Sequence, residues 1–453
     1  MKRQEAIGVF VVLLSLFCAR LASQDWQARN RVAAGAPLKP EVSIDPLIVS
    51  FEVGPDQTLN YPSTLANLPD EHTTFLPLFQ WPQGARQTDH DNLLTYLAFG
   101  ASRVGSSNAG AVILTTTDLA HFDFATALGY VTQPAIAGPV AFTTCDPAYA
   151  SEFDENYAAP GSVLQDPTMP PGNFIMLYEA ENHCPGGVWQ PPFYATIGFA
   201  RSSDSGRTWP APIDTEFGGP GRHVVLKGPD PEPTSEPSPA PMGDAIPAAF
   251  LDWRFLGEGY LYVSYSYYVG PGGHSDGFIR VARAKLGGGV APWNGWSAST
   301  AEDQPVSFVK WYNDSFSQPG IGGLDTGVLP ALGCQGRQAQ SSIYYADDLG
   351  LYFLIYVCDS MAADGQAAWF YSTATSLELQ NWSQPQMIAN SQFPITSCSG
   401  GGEQFDGFYP SLMSPGAAPG HLRLTGLVFF LNGCDTGQPR AFTSRVFRIN
   451  VEP

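Results

Sequence analysis

The chain has 453 residues, 44% of them hydrophobic and 13% aromatic, with 47 glycines and 40 prolines. Its formal net charge of −20 repels phosphate backbones and anionic bilayers, which excludes nucleic-acid and acidic-membrane partners. The composition suits a turn-rich, all-β protein.

At the start, Lys2 and Arg3 precede an apolar run from Ile7 to Cys18 that is short for a bilayer span, followed by the small-residue stretch Leu21-Ala22-Ser23. This predicts a signal peptide over 1–23, with an uncleaved anchor as the alternative. The expected location is therefore secreted or extracytoplasmic, with no membrane attachment after cleavage. Residues 24–45 read as a lead-in and 46–453 as one domain. Beyond Cys18 stand six cysteines, an even number that favours disulfides in an exported chain. Proximity pairs Cys145 with Cys184, Cys334 with Cys358 and Cys398 with Cys434; Cys334 with Cys398 stays open. No CxxC or HExxH motif occurs, so no zinc site is expected.

From there the chain repeats one order of elements. Short apolar runs bounded by Pro and Gly read as strands. They come in pairs: LLTYLAF (93–99) with AVILTTT (111–117), NFIMLYE (173–179) with YATIGFA (194–200), and YLYVSY (260–265) with FIRVARA (278–284). LYFLIYVC (351–358) with AWFYST (368–373), and LRLTGLVFFL (422–431) with AFTSRVFR (441–448), complete the set. The landmark aromatics Phe122, Trp209, Trp296 and Trp382 follow at spacings of 87, 87 and 86. A steady period with about four strands per unit is the signature of a propeller blade, and five units are present. Inner strands are expected at 75–80, 162–167, 248–253, 342–345 and 408–413. The Pro-rich stretch 229–242 reads as an extended surface loop, with a linker as the alternative.

The stretch SSDSGRTW (202–209) fits the Asp-box pattern S-x-D-x-G-x-T-W. Asp204 is suited to accept hydrogen bonds from its own turn and Gly206 to supply a positive φ, so the motif is read as structural. The endings SSDSGRTWPAP and TSLELQNWSQP, and the pairing of DPT with NFIMLYE, resemble the five-bladed glycoside hydrolases. These are the arabinanases, xylosidases and arabinofuranosidases of glycoside hydrolase family 43 and the invertase-like fructosidases. The Asp box is also similar to that of sialidases; these have six blades, usually several such boxes and an arginine triad, so with five units and one box they rank lower, as a second alternative.

The resemblance implies a secreted hydrolase of glycosidic bonds in a polysaccharide or oligosaccharide. It implies no cofactor and leaves a structural calcium open. Three carboxyl groups from blades 1, 2 and 3 would meet at one axial mouth as base or nucleophile, pKa modulator and general acid. Acids near the inner strands supply the candidates: Asp70 and Glu71 beside His72, Asp154 and Glu155, and Asp244. Substrate-binding candidates are His72, Arg337, Gln338, Asp406 and Tyr409, with Asp406 and Arg337 completing the wall. Blade 3 offers no glutamate before its inner strand, so the acid falls to Asp244, or to Glu179 or Glu181 in YEAENHC. The alternative is a catalytically inert propeller that binds a glycan or a protein. Two carboxylates converging at roughly 5–10 Å would favour the enzyme.

Overall fold

A computed structural model describes residues 48–63, 65–66, 72–77, 95–104, 109–128, 130, 136–137, 144–149, 153–166, 172–184, 193–209, 222–230, 242–255, 258–268, 275–287, 307–329, 337–359, 366–394, 407–433 and 441–452. Among them nearly everything regular is strand, and the one helical element is the 3-10 turn Ala125–Leu128. No helix there is long and apolar enough to cross a membrane.

The strands form five blades of four. From the axis outward, blade 1 runs Thr74–Pro77, Tyr96–Val104, Ala109–Thr116 and Asp123–Phe124. Blade 2 is Tyr157–Gln165, Phe174–Asn182, Tyr194–Ser202 and His223–Leu226. Blade 3 is Met242–Phe255, Glu258–Tyr268, Ser275–Gly287 and Val309–Tyr312. Blade 4 is Arg337–Ala346, Leu351–Asp359, Gln366–Ala374 and Gln386–Pro394. Blade 5 takes Phe408–Met413, Thr425–Asn432 and Ala441–Glu452 from the chain's end, and its outer strand Ile48–Thr58 from near the start. The chain thus closes its own ring.

The middle strands read as unbroken apolar runs because each blade is covered on both faces. All nine residues of Phe174–Asn182 are buried. Alternate side chains then face opposite neighbours: Met176 and Tyr178 pack towards blade 1, Ile175 and Leu177 towards blade 3. Similar clusters fill the blade 3–4, 4–5 and 5–1 interfaces, the last joining Phe75 and Phe122 to Phe429 and Phe442.

A hydrogen bond near the axis ties each blade to the next. Val163 N–H donates to Thr74 Oγ1 (3.2 Å) and Ala249 N–H to Ser162 Oγ (2.8 Å). Leu412 N–H donates to the Tyr344 hydroxyl (2.8 Å) and Thr73 N–H to Ser411 Oγ (2.9 Å). Blade 3 has Ala248 where its neighbours carry a hydroxyl, and there Ser264 Oγ donates to Ser341 O (3.0 Å) instead.

Inner strands of blades 2 to 5 share one irregularity. The register with the second strand slips at 160/162, 245/248, 339/342 and 408/411. Ile246, Gln340 and Tyr409 sit at the slip with φ of 54, 54 and 56°, unusual for residues bearing a Cβ. Blade 2 has Gly161 there, and a Cβ on it would lie 1.9 Å from Pro247 O. Because of these bulges, three inner strands begin five or six residues earlier than expected. Polar residues read as preceding the strand, Asp244 and Gln338 among them, lie inside it.

The Asp box lies between the third and outer strands of blade 2, as a turn. Asp204 accepts from Ser202 Oγ (2.7 Å), Thr208 N (2.9 Å) and Thr208 Oγ1 (2.6 Å), and Gly206 has φ 82°. Blade 1 uses the same device: Asp118 accepts from the N–H groups of Ala120 and His121 at 2.9 and 2.8 Å. Asp204→Ala should therefore cost about 2 kcal/mol of stability, read by urea denaturation, while ligand binding at the axis is unchanged. A loss of binding without a loss of stability would refute the structural role.

Cys145 and Cys184 form the expected disulfide. Cys358 is also disulfide-bonded, to a cysteine outside the described residues. Cys334, Cys398 and Cys434 lie outside them, as do the 1–23 signal and the 24–45 lead-in.

Candidate active site

Inner strands converge on an axial cavity of about 60 Å³, lined by His72, Ser162, Ser342, Tyr344 and Ser411 and reaching His421 at its far end. His72, just ahead of blade 1's inner strand, is 3% exposed. Its Nδ1 lies 3.4 Å from Ser342 Oγ and 3.5 Å from Ser411 Oγ. Its Nε2 has no partner among the described residues, and Tyr409 meets its ring edge-on at 6.0 Å. Burial lowers its pKa to about 3, so it is a neutral imidazole at ordinary pH.

The acids of blade 2's second strand do not line this cavity; they lie beside a group of rings that is joined to it through Tyr409. Glu179 and Glu181 are 2 and 7% exposed and lie two residues apart, on one face, about 7 Å apart along the strand. Glu179 Oε2 accepts from Ile246 N–H at the blade 3 bulge (2.6 Å). Glu181 Oε2 is 2.8 Å from His183 Nε2. His183 is held in turn: its N–H donates to Asn156 Oδ1 (2.9 Å), and its ring packs on Phe193 at 5.2 Å. The Cys145–Cys184 disulfide anchors the next residue. Phe193 meets Tyr268 edge-on at 5.6 Å, and both cluster with Ile246 and Tyr409. All five blades contribute once Gln340 is included, whose Oε1 accepts from Tyr409 N–H (3.0 Å). A buried carboxylate–imidazole pair beside aromatic rings is suited to moving a proton next to a ligand ring.

The other candidates are placed differently. Asp244 does not line the cavity. It faces the interface of blades 2 and 3, where its Oδ2 accepts from Lys310 Nζ at 2.8 Å, both side chains being 0% exposed. Lys310 also reaches Lys227 O (2.9 Å) and Asp325 (3.4 Å). Burial pushes the Asp244 carboxyl upward, Lys310 pulls it down and Asp325 pushes it up again. The expectation that Asp244 points into the axial pocket is corrected by the bulge, which puts it inside the strand and turns its side chain sideways.

Asp154 is fully buried and accepts from the Tyr178 hydroxyl (3.0 Å), with Arg222 at 3.2 Å. Burial raises its pKa despite Arg222 and Tyr178. Glu155, one residue on, accepts from Asp146 N–H (3.1 Å); burial raises its pKa too. Neither lines the cavity. Glu155 lies near Cys145 and Cys184, but the two sulfurs are bonded to each other and offer no thiolates. Asp166 pairs with Arg201. Gln338 is buried in blade 4's inner strand. Arg337 begins that strand, its side chain outside the described residues. Asp70, Glu71 and Asp406 also lie outside them; Glu71 is the neighbour of His72 in sequence.

Sequence reasoning passed over His183 and Tyr268. The available signal was two glutamates, two apart, in an otherwise apolar strand, since acids are rarely buried without a partner.

No protein-family model matches the chain, and no curated protein matches it. Solved structures do. The catalytic domain of the Coprinopsis cinerea family 62 α-L-arabinofuranosidase aligns at 12% identity and TM-score 0.42, over 88% of this chain and 97% of that one. The Thermotoga petrophila endo-1,5-α-L-arabinanase aligns at 13% identity and TM-score 0.41, over 88 and 75%. The Cellvibrio cellulosa α-L-arabinanase, solved with arabinohexaose, aligns at 9% identity and TM-score 0.37, over 81 and 89%. By its own strand order the chain is an all-β, five-bladed propeller, closed by its N-terminal strand.

Proposed function

We propose that this chain is an exported carbohydrate-active enzyme that hydrolyses glycosidic bonds at the axial mouth. The observation that carries the reading is the buried Glu181–His183 pair, 2.8 Å apart, set beside the rings of Phe193, Tyr268 and Tyr409. Aromatic rings suit the apolar faces of sugars, and a carboxylate with a proton-sharing partner suits general acid–base work. Glu181 is assigned the acid–base role. A blade 1 acid, Asp70 or Glu71, is assigned to the opposite side of the bond, because His72 beside them reaches the mouth. Hydrolysis needs one group on each side of the bond, and Glu179, the other acid of this strand, is engaged by the Ile246 N–H.

The test is a panel of plant, fungal and bacterial glycans with detection of released sugar. Glu181→Gln keeps the shape and the contact with His183. On any glycan the native protein cleaves, turnover should fall by a factor on the order of 10² or more. Unchanged turnover would remove Glu181 from the mechanism.

A second reading, an inert glycan-binding propeller, is favoured by the commitment of other acids to structure: Asp244 to Lys310, and Asp154 to Arg222 and Tyr178. Binding of a glycan by calorimetry with no release of sugar would select it.

A further inference from the structure

We propose that Asn313 and Asn381 carry N-linked glycans on the outer part of the propeller. This rests on the export proposed above. The chain has two Asn-x-Ser/Thr triplets, Asn313-Asp314-Ser315 and Asn381-Trp382-Ser383, the acceptor pattern of the secretory pathway. Both asparagines are exposed, and neither side-chain amide has a hydrogen bond among the described residues.

Asn313 has a backbone reason for its place. With Asp314 it forms the two-residue turn between Val309–Tyr312 and Ser315–Pro319, where both residues have positive φ, 45 and 65°, as a type I′ turn requires. Asn381 has no such reason: the positive φ of its turn, 46°, falls on Gln380. Beside it stands an independent anomaly. Leu379, two residues away, is 64% exposed, the most exposed of the large hydrophobic side chains described. The first sugar on Asn381 would cover that apolar surface. The two related Asn-x-Cys triplets lack these features: Asn182 is buried and Cys184 is in a disulfide, and the Asn432 amide oxygen accepts from Gly407 N–H at 3.1 Å.

The Ser383 hydroxyl accepts from Thr373 N–H at 2.9 Å in the folded protein, so attachment at Asn381 precedes closure of the turn. The donor is an oligosaccharide on a lipid pyrophosphate. The Asn Nδ2 loses a proton and bonds to the anomeric carbon, while the bond from that carbon to phosphate oxygen breaks and the lipid pyrophosphate leaves. Both positions lie on turns beside outer strands, whereas Glu181 is on the second strand of blade 2, so glycans there are expected to leave the mouth open.

The full chain should be expressed through a eukaryotic secretory pathway and weighed intact before and after a glycan-releasing amidase. Native protein should lose two glycan masses, with Asn converted to Asp at both positions. Asn313→Gln and Asn381→Gln should each lose one, and the double variant none. A site found unmodified overturns the proposal for that asparagine, and native protein secreted at its bare polypeptide mass overturns it for both. A parallel version with residues 1–23 exchanged for an established secretory leader separates the two failures. If only that version is secreted and glycosylated, the signal reading fails and the sites stand. If it is secreted unglycosylated, the sites fail.

Discussion

Asp244→Asn is expected to destabilise the protein by about 3–5 kcal/mol, the cost of breaking a buried ion pair from one side. The substitution leaves Lys310, at 0% exposure, facing a neutral amide in place of a carboxylate 2.8 Å away. Asp325 at 3.4 Å keeps part of the compensation, so the lower half of the range is the expected result. Lys310→Met should be similarly costly, because it leaves the Asp244 carboxylate buried without its cation. The double variant Asp244→Leu, Lys310→Met should cost much less than the two single changes added together, since it removes both charges. Denaturant unfolding of the four proteins gives the coupling directly. The result that would reject this account is an Asp244→Asn protein of native stability that has lost the ability to cleave a glycan; Asp244 would then be an acid of the site after all.

The second large effect is on acid stability. His72 is held neutral by burial, with its pKa lowered from 6.5 to about 3, and Ser342, Ser411 and Tyr409 around it offer no compensating charge. Between those pH values the unfolded chain binds a proton that the native state refuses. The contribution is therefore fully present above about pH 6.5 and is lost as pH falls towards 3. Each unit of that descent is worth roughly 1.4 kcal/mol, so the loss is on the order of 5 kcal/mol by the acid end. His72→Asn cannot take up this proton. Its stability measured by urea unfolding should be lower than native at pH 7, through lost packing, and should decline less steeply towards pH 4. Parallel profiles for the two proteins would show that His72 titrates normally in the fold.

The sequence by itself determined the architecture. The apolar pairs such as 173–179 with 194–200 correspond to Phe174–Asn182 and Tyr194–Ser202, because a strand covered on both faces must be apolar throughout and its ends are marked by turn residues. The Asp-box turn was legible for the same local reason: Asp204, Gly206 and Thr208 interact within a few residues of one another. So was the Cys145–Cys184 pairing, which joins segments flanking one blade. Three things were decided only by tertiary structure. The outer strand of blade 5 comes from Ile48–Thr58, since pairing between the two ends of a chain leaves no local pattern. The inner strands carry bulges at 160/162, 245/248, 339/342 and 408/411, and a one-residue slip reverses the faces to which side chains point. Asp244 consequently left the axis for Lys310, a residue 66 positions away. Phe193, the ring against His183, met Tyr268 and Tyr409 from other blades. Strand identity is a local property of the chain, whereas the direction of a catalytic side chain depends on register and closure, which are settled only when distant segments pack.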